Sequence, residues 1–440
     1  MTLGFDFTQF LPVELTDTIL KTFNARDLST FQCVCINWRE FGNSDEFWFR
    51  FCAEEHFVHY GPTDNILREK SYSQRTTNVS GNSPIFDLKV PENTRLSPIC
   101  KWKHIFLRRN HLNANWRKGR YFVAPALKGH TDKVTAFDCD GNVIISGSED
   151  KTLRVWDLSN FQCIRRISGH SDSVTSIKIV GNQVITGCGD SMIRVINIAT
   201  GKMTLTFIGH GGSVDHLRVS GSQLVSAGTD RTVRVWSLES KELKHILRVH
   251  TDEIECLSTH GILAVTGSWD NTLVLWNLKT GQCVHHCIGH NEVVTCCQFD
   301  SKRIVSGSAD GDARIWSCLT GLCLHVLSGH EGEVYCLVYN EKIIATGSSD
   351  STVRMWTHEG KLLRTLQEHM GVVRCLHINE DRLVSGGDQM MVVVWDYKKG
   401  KKMTVLHRHP SKLHLMWISD TKLITASPEK TGNLTVLSFW

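Results

Sequence analysis

No stretch of this 440-residue chain approaches the run of about twenty apolar residues that a membrane-spanning helix needs. Nothing near Met1 has the form of a secretory leader, because Asp6 interrupts MTLGFDFTQFLPVEL and no basic segment precedes an apolar one. Low-complexity runs are missing. Apolar residues at 41% against 21% charged give a globular composition rather than a disordered one. The net charge of +4 is too small to make nucleic acid the expected partner. Among the sixteen cysteines no Cys-x-x-Cys pair occurs, and the cluster His285, His286, Cys287 has no matching half elsewhere. Neither a metal nor a cofactor is therefore expected. Cys256, Cys296, Cys336 and Cys375 recur inside strand-like runs, and Cys163, Cys283 and Cys323 each follow a turn. That is the pattern of core thiols in a reducing compartment, cytoplasmic and/or nuclear.

What the chain does have is a period. His130, His170, His210, His250, His290, His330, His369 and His409 are spaced by 40 residues, with one gap of 39. A repeat of this length signals a stacked or radial array. In seven units a Val or Ile follows the His by four residues, with Leu413 in the eighth, and then come an alternating run, a turn, and an apolar run that ends in Ser/Thr-Gly in six of them. A tight turn carries Asp at 150, 190, 230, 270, 310 and 350. An apolar strand then closes on Trp at 156, 236, 276, 316, 356 and 395, with Ile196 in the second unit. Period-two alternation bounded by turn residues makes each unit four short antiparallel strands.

His130, Ser146 and Asp150 are the residue types of a hydrolytic triad. A triad needs one uniquely placed copy, whereas this set recurs along the chain, so a structural role is expected. The whole pattern resembles the WD-repeat family over roughly residues 121–440. The resemblance implies a β-propeller of eight blades in which His130, Ser146, Asp150 and Trp156, with their equivalents, form a hydrogen-bonded network. The eighth unit, SPEKTGNLTVLSFW, lacks the Asp and supplies three strands. Residues near 121–127 are expected to complete its sheet, so that no edge stays open.

The segment in front reads differently. In residues 9–56 apolar positions 11, 15, 19, 20 and 23 follow helical spacing, and Asn24 or Asp27 can cap a second helix. So short a module buries its large apolar groups only marginally by itself, and leftover apolar surface means a partner. Leu11-Pro12, Glu14-Leu15, Ile19-Leu20, Asp27-Leu28, Val34-Cys35, Trp38 and Phe47-Trp48 closely resemble an F-box. That resemblance implies docking on the Skp subunit of a cullin–RING ubiquitin ligase through Leu11, Pro12, Leu15, Ile19, Leu20, Leu28, Val34, Cys35 and Trp38. Residues 57–98 are polar and aperiodic, a flexible insert. Residues 99–120 hold a basic amphipathic helix with Trp102, Ile105, Phe106, Leu112 and Trp116, similar to the helical stalk of such adaptors. The expected architecture is an all-β eight-bladed WD-repeat β-propeller preceded by an all-α F-box and helical stalk.

In a four-stranded meander the entry to the first strand and the turn between the second and third lie at one end. Side chains flanking the Val/Ile after each His, and those just before each turn Asp, therefore ring one mouth of the channel. Loops on a rigid scaffold are where binding residues gather. One arc carries Asp215, Glu253, Glu255, Trp269, Glu333 and Tyr335; the other carries Arg374, Lys412, His414 and Lys133. Two readings follow. In one, the chain is a non-catalytic receptor whose propeller holds a target protein for ubiquitination and proteasomal degradation. In the other, it is a WD scaffold without a ubiquitin role. The resemblance to adaptors that clamp phosphorylated degrons with several rim arginines is incomplete, because only Arg374 falls at a matching position.

Overall fold

The computed structural model describes residues 13–34, 36–54, 101–379, 382–388, 391–406, 413–426 and 432–439. Two compact units are present, one formed from residues up to Arg120 together with Phe439, the other from Tyr121–Ser438. The expected insert at 57–98 lies outside the described residues.

The first unit is helical: α1 (Val13–Leu20), α2 (Ala25–Phe31), α3 (Ile36–Gly42), α4 (Asp45–Glu54) and α5 (Lys101–Lys118). Asn24 caps α2, its side-chain oxygen accepting from the backbone N–H of Arg26 and Asp27, both at 2.9 Å. Leu20, Leu28, Phe31, Phe47, Trp48 and Phe51 form the core, with Trp102 and Phe106 of α5 packed against it. Trp48 is fully buried and satisfies its indole by donating to the Gly42 carbonyl at 2.7 Å. The apolar stripe read on residues 101–120 is thus occupied: Ile105, Leu112 and Trp116 are buried, and Trp116 stacks on Phe439.

The second unit consists of eight four-stranded antiparallel sheets. Seven are simple meanders, covering residues 134–167 (blade 1), 174–207 (blade 2), 216–247 (blade 3), 254–288 (blade 4), 294–327 (blade 5), 334–367 (blade 6) and 373–406 (blade 7). Blade 8 takes its inner three strands from Leu415–Ile418, Lys422–Ala426 and Leu434–Ser438, and its outermost from Phe122–Val123. Phe122 pairs with Ser438 and Val123 with Leu437, while Leu127 bridges to Leu434. The ring closes as the sequence predicts, without a free seam. Apolar faces of adjoining blades share their cores; Ile145, Leu153 and Val155 of blade 1 pack with Ile177, Val184 and Ile196 of blade 2.

The polar network is complete in blades 1, 3, 4, 5 and 6. His130 Nδ1 donates to Asp150 at 2.8 Å, its Nε2 lies 2.8 Å from Ser146 Oγ, and Trp156 Nε1 donates to the same Oγ at 2.8 Å. With Nδ1 carrying the proton, the hydroxyl must donate to Nε2 while accepting from the indole. Ser146 is fully buried, so no substrate reaches it, and its lone pair is already engaged. Asp150 also accepts from Thr131 N and from both the backbone and side chain of Thr152. These bonds brace the turn in which Lys151 adopts φ 64°.

Blade 2 departs from the expected set. Ile196 leaves the room a Trp would fill, and Arg194 takes Asp190 in two bonds of 3.1 and 2.7 Å. His170 keeps its bond to Thr186 at 2.8 Å, but its Nδ1 has no partner. In blade 7 His369, Ser385 and Trp395 remain linked, each bond 2.8 Å, and the aligned turn position is Gln389. The cysteine pattern also needs correction. Cys163, Cys283 and Cys323 are exposed on outermost strands rather than in the core.

Candidate functional site

The mouth of the propeller is built by a recurring β-bulge. In blades 1, 2, 4, 5, 6 and 7 the pairing of the first strand with the second slips by one residue just after the Val/Ile. The extra residue is left out of the ladder and its side chain is re-aimed. In blade 3 Asp215 N and the following His216 both oppose Ala227. Thr135, Thr175 and Thr295 occupy this position, and their hydroxyls donate to the carbonyls of Val174, Val214 and Val334 in the neighbouring blade. Those threonines are ties between blades. Asp215, Glu255, Tyr335 and Arg374 stand at the same position without making that tie.

The rim positions read from sequence do meet in pairs. Glu255 accepts the Trp269 indole N–H at 2.9 Å, while the indole stays half exposed, at 51%. Ser213 donates to Asp215 at 2.6 Å. Burial pushes the Asp215 carboxyl above its ordinary value. Burial also raises Glu255, helped by the neighbouring charges of Asp215 and Glu253 and opposed by the Trp269 bond. The neighbouring Glu333 pushes the Tyr335 phenol above its ordinary value. Among the described residues none of these four carboxylates has a cationic partner within ion-pair distance.

The basic arc is different. Arg374 is held by Asp388 through Nε at 2.6 Å and Nη2 at 3.0 Å, and lies over the Tyr335 ring at 5.2 Å. Lys133 pairs with Glu149 at 3.5 Å. Lys412 lies outside the described residues, and His414 is exposed. Asp388 escaped the sequence reading because blade 7 lacks the turn Asp that marks the register, with Gln389 in its place. The signal was the Asp that directly follows its Gly-Gly, in SGGDQ.

Within the helical unit the nine residues read as docking positions divide. Leu15, Ile19 and Val34 are exposed, at 51%, 37% and 60%. Leu20 and Leu28 are fully buried, so they build the module rather than touch a partner. Trp38 is half buried and stacks on Phe31 with ring centroids 4.2 Å apart. The helical period and the F-box pattern that marked them do not distinguish the inward face from the outward one. Leu11, Pro12 and Cys35 lie outside the described residues.

Comparison with known proteins agrees with this division. A family model for the WD domain, G-beta repeat, matches residues 123–157, 161–197, 201–237, 241–277, 281–317, 321–357 and 360–396. An F-box-like model matches 8–54. The eighth blade, whose degenerate unit lacks the turn Asp, falls outside the matched repeats. The chain is 32% identical over 164 residues to F-box/WD repeat-containing protein 7 of Drosophila melanogaster, covering 37% of this chain and 11% of that one. It is 30% identical over 160 residues to F-box/WD repeat-containing protein sel-10 of Caenorhabditis elegans, covering 34% and 27%. A third relative, 26% identical over 216 residues and matched over 38% and 32%, is the probable E3 ubiquitin ligase complex SCF subunit scon-2 of Neurospora crassa. The chain thus matches a third or less of each of these relatives' length. The crystal structure of the computationally designed Ika8 protein superposes with a TM-score of 0.67 at 30% identity, over 71% of this chain and 98% of the other. With its repeats matched over more than half its length and an F-box-like segment in front of them, the chain belongs to the WD domain, G-beta repeat family and, within it, to the F-box/WD-repeat proteins.

Proposed function

We propose that this chain is the substrate-recognition subunit of an SCF-type E3 ubiquitin ligase. Its helical front binds Skp, and through it cullin and the RING protein; its propeller mouth holds a target protein for ubiquitination and degradation. The observation that carries the reading is the apolar stripe of Leu15, Ile19 and Val34, left exposed on a module whose core is already filled by Leu20, Leu28 and Trp48. Exposed apolar side chains on so small a unit mark a docking surface. The relative named as an SCF subunit supports the same assignment. Transfer of ubiquitin is left to the other subunits, since the repeated Ser–His–Asp sets are sealed. The fourteen described cysteines are all free thiols, which suits work in the cytoplasm or nucleus.

The target class follows from the rim. Asp215, Glu253, Glu255 and Glu333 present unneutralised carboxylates beside the exposed Trp269 and the half-buried Tyr335. Such a surface repels a phosphate carrying nearly two charges. It favours a Lys- or Arg-bearing segment, with the indole face offering a cation–π contact. Affinity capture with the full chain tests the first part: recovery of Skp and cullin is expected, and their absence beside other retained partners would leave a WD scaffold without a ubiquitin role.

A further inference from the structure

Blade 3 contains a pocket of about 330 Å³ whose lining includes Asp230, Arg231, Arg234 and Arg248. Arg234 sits on the third strand (Val233–Ser237) and is only 7% exposed. A buried guanidinium normally finds acceptors for its hydrogens. Arg154, at the same position in blade 1, donates through Nη2 to the Gly129 carbonyl at 2.6 Å. Arg194 in blade 2 grips Asp190. Arg234 does neither. Its Nε reaches Thr232 Oγ1 at 3.4 Å, and the nearest carboxylate oxygen, Asp230 Oδ2, stands 3.8 Å from Nη2. That oxygen is already taken by His210 Nδ1 at 2.8 Å and Gly211 N at 3.0 Å. Arg234 thus lines the pocket with neither terminal nitrogen hydrogen-bonded, its one ion-pair contact being the long one to Asp230.

Arg248 faces the same space from just beyond the fourth strand (Leu243–Leu247). It is exposed, and among the described residues it has no ion pair or hydrogen bond. Burial and, against the pull of Asp230, the nearby Arg248 charge lower the Arg234 pKa, so the two guanidiniums are close enough to repel. At the position of Arg248 in blades 1, 2, 4, 5 and 6 stand Ser168, Ile208, Ile288, Ser328 and Gln367. Blade 3 is the one of these six with an arginine at this position. Arg231 adds a third, tethered by Nη1 to the Thr251 carbonyl at 2.9 Å. Three guanidiniums then oppose one carboxylate.

We propose that the Arg234–Arg248 pocket of blade 3 binds a phosphate group, taken either as free phosphate or as a phosphate monoester on a side chain. Planar guanidiniums match the tetrahedral oxygens with paired, charge-assisted hydrogen bonds. Binding neutralises two like charges that otherwise face each other across the pocket. The site lies apart from Arg374 and does not rest on the ligase reading.

Calorimetric titration of the full chain at constant ionic strength, with inorganic phosphate and with a phosphoserine tripeptide, tests the proposal. Saturable binding at one site is expected. Arg248→Ala, a change at an exposed side chain, is expected to weaken it by about tenfold or more, the loss of one charge-assisted contact. Arg248→Lys should fall between. Tighter binding of the tripeptide assigns the pocket to a phosphorylated side chain, and tighter binding of inorganic phosphate assigns it to the free ion. Either order supports the site. Absence of saturable binding of both ligands up to about 10 mM, or equal affinity in wild type and Arg248→Ala, overturns it.

Discussion

Asp388 holds Arg374 by two hydrogen bonds, 2.6 Å from Nε and 3.0 Å from Nη2. The one arginine at a rim position expected to clamp phosphate is thus already neutralised. Arg374→Ala is expected to leave target binding within about twofold, since it removes an internal pair rather than a free cation. Charge reversal of Glu253 and Glu255 to Lys should weaken binding of Lys- and Arg-rich peptides by about tenfold or more. Fluorescence anisotropy with matched cationic and phosphorylated peptides checks both. Loss of binding in Arg374→Ala, together with a preference for the phosphorylated peptide, would overturn the cationic-target reading.

The division of the helical apolar residues makes a second test. Replacing Leu15 and Val34 by Ala should abolish or strongly reduce Skp recovery while leaving the melting of the unit unchanged. Leu28→Ala should do the opposite at first hand: it opens a cavity in a filled core and costs about 2–5 kcal/mol. Thermal melts beside co-purification with Skp separate the two classes. Unaltered Skp recovery in the Leu15/Val34 double variant would remove these residues from the interface.

A third expectation concerns the sealed networks. Ser306 Oγ lies 2.8 Å from His290 Nε2 and accepts from Trp316 Nε1 at 2.9 Å. Ser306→Ala strands a buried acceptor and a buried donor at once, at a cost of about 2–4 kcal/mol. Denaturant unfolding should show the shift in midpoint. A variant as stable as the parent would mean that the network is not a source of stability.

Acid should unravel the propeller in two stages. Burial lowers His170 to about 4, with the Arg194 charge adding to it, and lowers His369 to about 4, against an ordinary 6.5. A histidine whose folded pKa is depressed is neutral in the fold but takes up a proton when unfolded. Its contribution is therefore full above pH 6.5 and is lost as the pH falls toward 4. Each such group is worth roughly 3 kcal/mol over that span. Asp230, Asp270 and Asp310 lie well below the ordinary carboxylate range: burial opposes ionisation, but hydrogen bonds from their histidines and nearby N–H groups outweigh it. Their contribution is present above an ordinary 3.8 and disappears only in stronger acid. Stability measured against pH in His170→Asn should lose part of the upper stage and keep the lower.

Much of this architecture was legible before the structure. A repeat of 40 residues places every blade, because His, Asp and Trp are spaced by strand and turn lengths that cannot drift without breaking the network. The rim was legible for the same reason: positions beside the Val/Ile and before the turn Asp meet across a bulge, as Glu255 and Trp269 do. What stayed hidden were choices made in three dimensions. Arg194 can turn to Asp190 because Ile196 is small, and no spacing announces that. Thr135 and Glu255 occupy equivalent positions, yet one is consumed by a neighbouring carbonyl and the other is not. Leu15 and Leu20 share one helix and one hydropathy, and only packing tells the outer face from the inner.

The pairing of Phe122 and Val123 with Ser438 and Leu437 also fixes an order of events during synthesis. The outermost strand of blade 8 leaves the ribosome before any other strand of the ring, and its partner leaves last. At about 5–20 residues per second, the intervening three hundred or so residues take on the order of 15–60 s. Throughout that time blades 1 to 7 can stack one upon another, while the earliest strand waits without a neighbour and both ends of the growing arc stay open. A nascent chain of this kind is most exposed to mispairing just before its ring closes, and loss of Leu434–Ser438 leaves not a smaller ring but an unclosed one.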